Sequence, residues 1–215
     1  MDDITLYCFA QSGNSYKAAL MLNLCALPWT PRFVDYFNGE TRSEAYRAVN
    51  PMGEAPVLEY TADGRRERVS QSGVILDLLA GATGRFGWAD EAGRREVLRW
   101  LLFDNHKFTS YTATYRWLVA IARNGDPAVL EFLKARMLGA FAIAERQLGT
   151  RDWIAGAQPT IADLSMCGYL YFEDEIGIDL GREFPNLKRW LGRIAALPGW
   201  KHPYDLMPGQ APARP

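Results

Sequence analysis

The sequence predicts an α/β N-terminal part with the element order βαβαββα, followed by an all-α C-terminal part. Three observations carry this. β-prone runs alternate with helical periodicity over residues 1–82. Asp63-Gly64 separates two β-prone runs, a strong short-range hairpin signal. Beyond Gly84 the apolar positions recur at helical spacing only.

The elements follow in order. Ile4 to Cys8 is short, β-rich and alternating, and the turn-forming Gln11-Ser12-Gly13-Asn14 comes next. Residues 16–26 have helical spacing and stop before Pro28. Residues 29–34 read as a second strand, and Asn38 to Thr41 as a loop feeding a short helix that ends near Asn50-Pro51. Strand, helix, strand implies a parallel pair joined by a crossover. Residues 56–60 and 68–70 flank the hairpin turn, and a helix spans 71–81. Residues 90–122 contain no proline and predict one long helix. A second helix spans 127–148, with Asp126 as its cap and Pro127 at its first position. Thr160 opens a third, and 185–197 forms a fourth. The proline-rich tail, 203–215, is expected to be extended. The predicted domains are therefore 1–82 and 88–215.

Composition narrows the class. Of 215 residues, 48% are apolar and 23% charged, enough to bury a core without disulfide staples. A net charge of −1 gives no electrostatic footprint for nucleic acid or an anionic membrane. The run Arg65-Arg66-Glu67-Arg68 carries its own acid and reads as a solvated turn. Cys8, Cys25 and Cys167 are scattered and form no C-x-x-C pair, so neither a disulfide framework nor a metal site is indicated. Reduced thiols and the absence of a signal-peptide pattern point to the cytoplasm.

Chemistry concentrates at the start of the first helix, in Ser12-Gly13-Asn14-Ser15. In thioredoxin-like folds a C-x-x-C pair at this place sets a thiolate against the unpaired N–H groups of a helix start. Here both cysteine positions hold serine, so the anion-favouring geometry stays while the redox couple is lost. A hydroxyl there can donate to the thiolate of a ligand. One charge-assisted hydrogen bond is worth roughly 1.5–3 kcal/mol, the size needed to move a thiol from ~8.5 into the neutral range. A second reading makes Ser12 or Asn14 a helix cap only.

Three further segments carry a family resemblance. Asn50-Pro51-Met52-Gly53-Glu54-Ala55-Pro56-Val57-Leu58 resembles the NPxGxVPxL element of the glutathione transferases. Val69 to Leu76, containing Gln71-Ser72, resembles their L-x-E/Q-S-x-x-I element, and Thr160-Ile161-Ala162-Asp163 resembles their helix-capping box. Taken with the two-part architecture, the resemblance covers nearly the whole chain. It implies a thioredoxin-like N-terminal domain that binds glutathione as co-substrate, with Pro56 in the cis form and the backbone of Ala55 pairing with the cysteinyl part of the peptide. Gln71 and Ser72 would hold its γ-glutamyl end. Ser12 would meet the sulfur with Asn14 assisting. Tyr7 is the alternative activating hydroxyl, and Cys8 would fit a mixed-disulfide class. Glu54 departs from the Lys or Gln of many relatives and would repel the glycyl carboxylate unless it points away or meets a neighbouring group. Thr160 and Asp163 serve folding.

The predicted long helix carries Phe103, His106, Phe108, Tyr111, Tyr115 and Trp117. By resemblance it borders a second pocket, and the spacing of Phe108, Tyr111 and Tyr115 puts them on one face, suited to a partly apolar small electrophile. Phe103 and Trp117 read as core, and Arg116 either neutralises an acidic substrate or is solvated. The function implied is glutathione transfer. The alternatives are a glutathione-dependent disulfide reductase and a binding module that retains the fold without turnover. The resemblance also implies a homodimer, and it indicates no metal. The electrophile is left open.

Overall fold

The computed structural model describes residues 1–212. It divides into two compact units, Met1–Arg85 together with the chain from Pro198 onward, and Phe86–Leu197. The tail thus joins the first unit, whereas the sequence reading assigned residues 88–215 to the helical domain.

The first unit contains β1 (Asp2–Cys8), α1 (Gly13–Leu24), β2 (Trp29–Phe33), a 3₁₀ turn (Glu40–Arg42), α2 (Glu44–Arg47), β3 (Val57–Ala62), β4 (Arg65–Ser70) and α3 (Ser72–Thr83). The sheet order is β2-β1-β3-β4. β1 pairs parallel with β2 and antiparallel with β3, and β3 and β4 form an antiparallel hairpin. This is the predicted mixed sheet. The hairpin turn has Asp63 at φ 49° and Gly64 at φ 72°. Two consecutive positive values match the twist of the flanking strands, which is why Asp-Gly serves there. In β1 the residues Ile4, Leu6 and Cys8 are buried, the period-2 inward face of the strand. Residues 18–22 of α1 are all fully buried, because α1 packs on β1 and α3.

The basic run is not a turn. It forms most of β4, where Arg66 Nε donates to Glu59 Oε1 at 2.9 Å and Arg68 Nε to Glu59 Oε2 at 2.6 Å. Glu59 is buried on β3, directly opposite Arg68. Burial pushes its carboxyl up, but the hydrogen bonds from Arg68 and Arg66 outweigh that and hold it below the usual carboxylate range.

The second unit begins with α4 (Glu91–Phe103), a π-helical turn (Asp104–Phe108), α5 (Thr109–Arg116) and a second π turn (Trp117–Ile121). The single long helix expected over 90–122 is therefore one helical run interrupted twice by wider turns. Next come α6 (Pro127–Leu148), α7 (Ile161–Met166), a 3₁₀ segment (Cys167–Phe172), α8 (Glu173–Ile176), α9 (Leu180–Glu183) and α10 (Pro185–Ala195). Asp126 caps α6 by accepting from Ala128 and Val129, with Pro127 next to it, as the sequence predicts. At α7 the capping box is complete. Asp163 is fully buried and accepts from Thr160 N at 2.8 Å, Ile154 N at 2.8 Å and Trp190 Nε1 at 2.9 Å. One carboxylate thus ties the start of α7 to a loop and to α10.

The tail, expected to be extended, contains the short helix α11 (Pro203–Leu206), which packs on α1. Its connections explain why it belongs to the first unit. Ala10 N donates to Pro208 O at 2.8 Å, and Tyr16 Oη donates to Lys201 O at 2.9 Å. The residues from 213 on lie outside the described chain.

Candidate functional site

Sheet register decides which segments meet. Tyr7 lies opposite Val57 in the β1–β3 ladder, and Val57 lies opposite Ser70 in the β3–β4 hairpin. The residues following β1, those preceding β3 and those following β4 therefore gather at one end of the sheet. These are Ser12 and Asn14, then Glu54, Ala55 and Pro56, then Gln71 and Ser72.

Ser12 closes a tight turn, with its N–H donating to Phe9 O at 3.0 Å. It has extended backbone and caps α1, its Oγ accepting from Ser15 N at 3.1 Å. That bond occupies a lone pair and leaves the hydroxyl proton to be donated elsewhere. One hydroxyl can thus serve as cap and as donor, and the two sequence readings of Ser12 are compatible. Asn14 follows within the first turn, partly exposed. Its Oδ1 is buried without a hydrogen-bond partner, an uncommon condition for a folded chain.

The neighbouring alternatives are placed differently. The Tyr7 ring stands edge-on to Tyr46 at 6.4 Å between centroids, with the Arg32 guanidinium 5.1 Å from its own centroid. It is occupied in packing beside β2 and α2. Cys8 is fully buried in β1, and burial pushes its thiol up to about 12. Such a thiol supplies almost no thiolate near neutrality.

The Ala55–Pro56 bond is cis. Pro56 is buried, while Ala55 is half-buried against a cluster of Phe9, Val34 and Tyr46. The loop before it is held from within. The Glu54 carbonyl accepts from the Tyr46 hydroxyl at 3.1 Å and from Asn50 Nδ2 at 2.8 Å. Gly53 has φ 65°, and a Cβ there would lie 2.9 Å from Thr41 O, so glycine is required. The Glu54 side chain is exposed and accepts from Gln71 Nε2 at 3.0 Å. It meets a neighbouring group, one of the two dispositions that the sequence left open.

Gln71 sits at φ 69°, ψ 115°, a sparsely populated conformation for a residue with a Cβ. It precedes α3, whose start has no side-chain cap, in contrast to α1. Ser72, the first residue of α3, is buried. Uncapped N–H groups at a helix start favour an anion.

In the helical unit Phe108 is 1% exposed and packs against Phe141 at 5.0 Å. Tyr111 and Tyr115 are half-buried on α5. Arg116, expected on a substrate or in solvent, is buried; its Nη2 lies 2.7 Å from Glu175, and its guanidinium carbon lies 3.7 Å from the centroid of the Phe172 ring. His106 is exposed. Among the described residues no group of His, Cys, Asp and Glu could hold a metal ion.

Sequence reasoning missed the anchoring of Glu54 by Tyr46 and Asn50, and the return of the tail to the turn before Ser12. Asn50 had a signal, since an Asn before Pro often bonds nearby backbone. Tyr46 and the tail had none that is local.

Comparison with known proteins matches residues 11–82 to the glutathione S-transferase N-terminal domain and residues 108–198 to the glutathione S-transferase C-terminal domain. Among solved structures, one from Rhodopseudomonas palustris, described as a possible glutathione S-transferase, is 33% identical. It covers 97% of this chain and 92% of its own, with a TM-score of 0.86. A glutathione S-transferase from Pseudomonas fluorescens is 32% identical, covering 92% and 97%, with a TM-score of 0.84. A maleylacetoacetate isomerase of Rhizobium meliloti is 28% identical over 92% of this chain and 87% of its own.

Proposed function

The chain belongs to the glutathione S-transferase family, and from that premise we propose that it binds glutathione and activates its thiol for attack on a small electrophile. The observation that carries this reading is the Ser12 hydroxyl. Its oxygen accepts from Ser15 N at the start of a helix, and its proton is not used in that bond.

In this reading Ser12 donates to the glutathione sulfur and stabilises its thiolate, with Asn14 assisting. The reactive atom is the ligand's, and the protein supplies orientation and electrostatics. The backbone N–H and C=O of Ala55 pair with the cysteinyl unit in the manner of an added strand. The α-carboxylate of the γ-glutamyl end takes the uncapped start of α3, with Ser72 adding a hydroxyl and Gln71 its amide. Glu54 accepts from the Gln71 amide and so sets the charge beside that same γ-glutamyl end. Tyr111 and Tyr115 contribute half-buried rings with polar tips for the electrophile, while Phe108 is buried in the core against Phe141. By family resemblance the protein acts as a cytoplasmic two-fold homodimer.

Calorimetry with glutathione, followed by assays with an aryl halide and with a small disulfide, tests the proposal. Binding with turnover of the aryl halide supports transfer. Faster reaction of the disulfide selects the reductase, and binding without turnover of either selects a binding module. No binding at millimolar glutathione refutes the reading as a whole.

A further inference from the structure

The chain from Gly199 to Gln210 runs the length of α1 in reverse. Asn23, near the end of α1, donates to Gly199 O. Tyr16, at its middle, donates to Lys201 O at 2.9 Å. Ahead of its start, Ala10 N donates to Pro208 O at 2.8 Å and Gln11 Nε2 to Gln210 O at 2.5 Å. Ala10 is fully buried, and Pro208 O is the partner that satisfies its N–H. This is the backbone between Phe9, which accepts from Ser12, and Ser12 itself.

The approach is close enough to demand glycine. Gly209 has φ 125°, and a Cβ there would lie 3.0 Å from Gln11 Oε1 and 3.2 Å from Ala10 N. A side chain at 209 would meet the backbone of the turn, which has little room to yield. The far end has the same character: Gly199 has φ 92°, with a virtual Cβ 2.8 Å from Asn23 O.

We propose that Pro208 and Gly209 are positioning residues for the Ser12 hydroxyl: the tail clamps the turn of residues 9–12 and so fixes where Ser12 donates. This deepens the reading of Ser12 given above and rests on it. Neither residue touches the sulfur. They act through Ala10 and Gln11, and loss of the clamp leaves the donor in place but poorly aimed, which weakens its hold on the thiolate more than it weakens binding of the peptide.

The test is a comparison of the unaltered chain, Gly209→Val and Tyr16→Phe, the last removing the Tyr16 Oη bond to Lys201 O at the middle of α1. Ultraviolet titration of bound glutathione gives the thiol pKa, calorimetry gives the Kd, and amide hydrogen exchange reports the turn without any ligand. Gly209→Val is expected to raise the thiol pKa by about one unit, a tenfold loss of thiolate below the pKa, with Kd changed less than about threefold. It should also speed exchange at the amides of Ala10 and Ser15 by about tenfold while leaving residues 18–22 protected. Tyr16→Phe should lower the Tm and leave the pKa in place. If Gly209→Val does not fold, a chain ending after Met207 removes the same contacts. An unmoved pKa, or an equal shift in Tyr16→Phe, overturns the proposal. If the unaltered chain binds no glutathione, the proposed function fails, and the exchange rates alone decide the clamp: faster exchange in Gly209→Val supports it, and unchanged exchange refutes it.

Discussion

Replacing Ser12 with alanine removes two interactions of one oxygen, and they can be read separately. As a cap, Oγ accepts from Ser15 N at 3.1 Å in a buried setting. Losing an N-cap costs about 1 kcal/mol, and for a chain of this size that is a drop of roughly 2–4 °C in Tm. As a donor to the thiolate, the hydroxyl supplies a charge-assisted bond worth roughly 1.5–3 kcal/mol, and at about 1.4 kcal/mol per unit its loss raises the bound thiol by one to two pKa units. Ser12→Thr keeps both functions and should sit near the parent on both axes. The assay is thiolate absorbance of the complex across pH, with Kd measured on the same samples and Tm by calorimetry. A lower Tm with an unchanged titration would refute the catalytic assignment and leave Ser12 as a cap alone.

Glu54→Gln removes a carboxylate bonded to Gln71, beside the place proposed for the α-carboxylate of the γ-glutamyl unit, and should tighten glutathione binding by roughly fivefold, the scale of one exposed charge contact in water. Weaker binding by calorimetry would show that the Glu54–Gln71 bond matters more than the charge. Asp163→Ala leaves the N–H groups of Ile154, Thr160 and Trp190 without their buried acceptor, at about 1–3 kcal/mol each, so it should unfold the chain or lower Tm by more than ~8 °C. A change under 2 °C by the measure just used for Ser12 would contradict the bonding described. The Glu59 carboxyl is held below its ordinary value, so its clamp contributes stability above pH ~4.3 and loses it as pH falls through the lower folded value. Glu59→Gln should therefore be less stable than the parent at pH 7 and converge with it in acid; parallel urea-unfolding curves at both pH values would sink that assignment.

Much of the first unit was legible because its signals are local. Asp63-Gly64 sets the hairpin, Pro28 bounds α1 from outside, and the Ser-x-x-Ser start of α1 is visible in four consecutive residues. Where longer-range packing decides, periodicity misled. Phe108, Tyr111 and Tyr115 are spaced to share a face, but burial runs through Phe108, Thr109, Thr112 and Arg116, so Phe108 falls inside the core arc and the tyrosines on its margin. Arg66 and Arg68 looked solvated because the acid that clamps them, Glu59, lies across a turn. The assignment of the tail to the first unit depends on a carbonyl nearly two hundred residues from its donor, and no local pattern announces such a bond.

The strand order leaves β2 and β4 as the two rims of the sheet. Each rim carries a deterrent to a foreign strand. β2 has Pro31, which takes a donor off the chain, and β4 presents Arg65, Arg66, Glu67 and Arg68 in succession, a row that a second chain could approach only by stripping water from charges. With the backbone of Ala55 proposed to take an extended peptide, that hospitality is confined to one loop, and the margins of the sheet stay closed to the open-ended stacking that leads to aggregates.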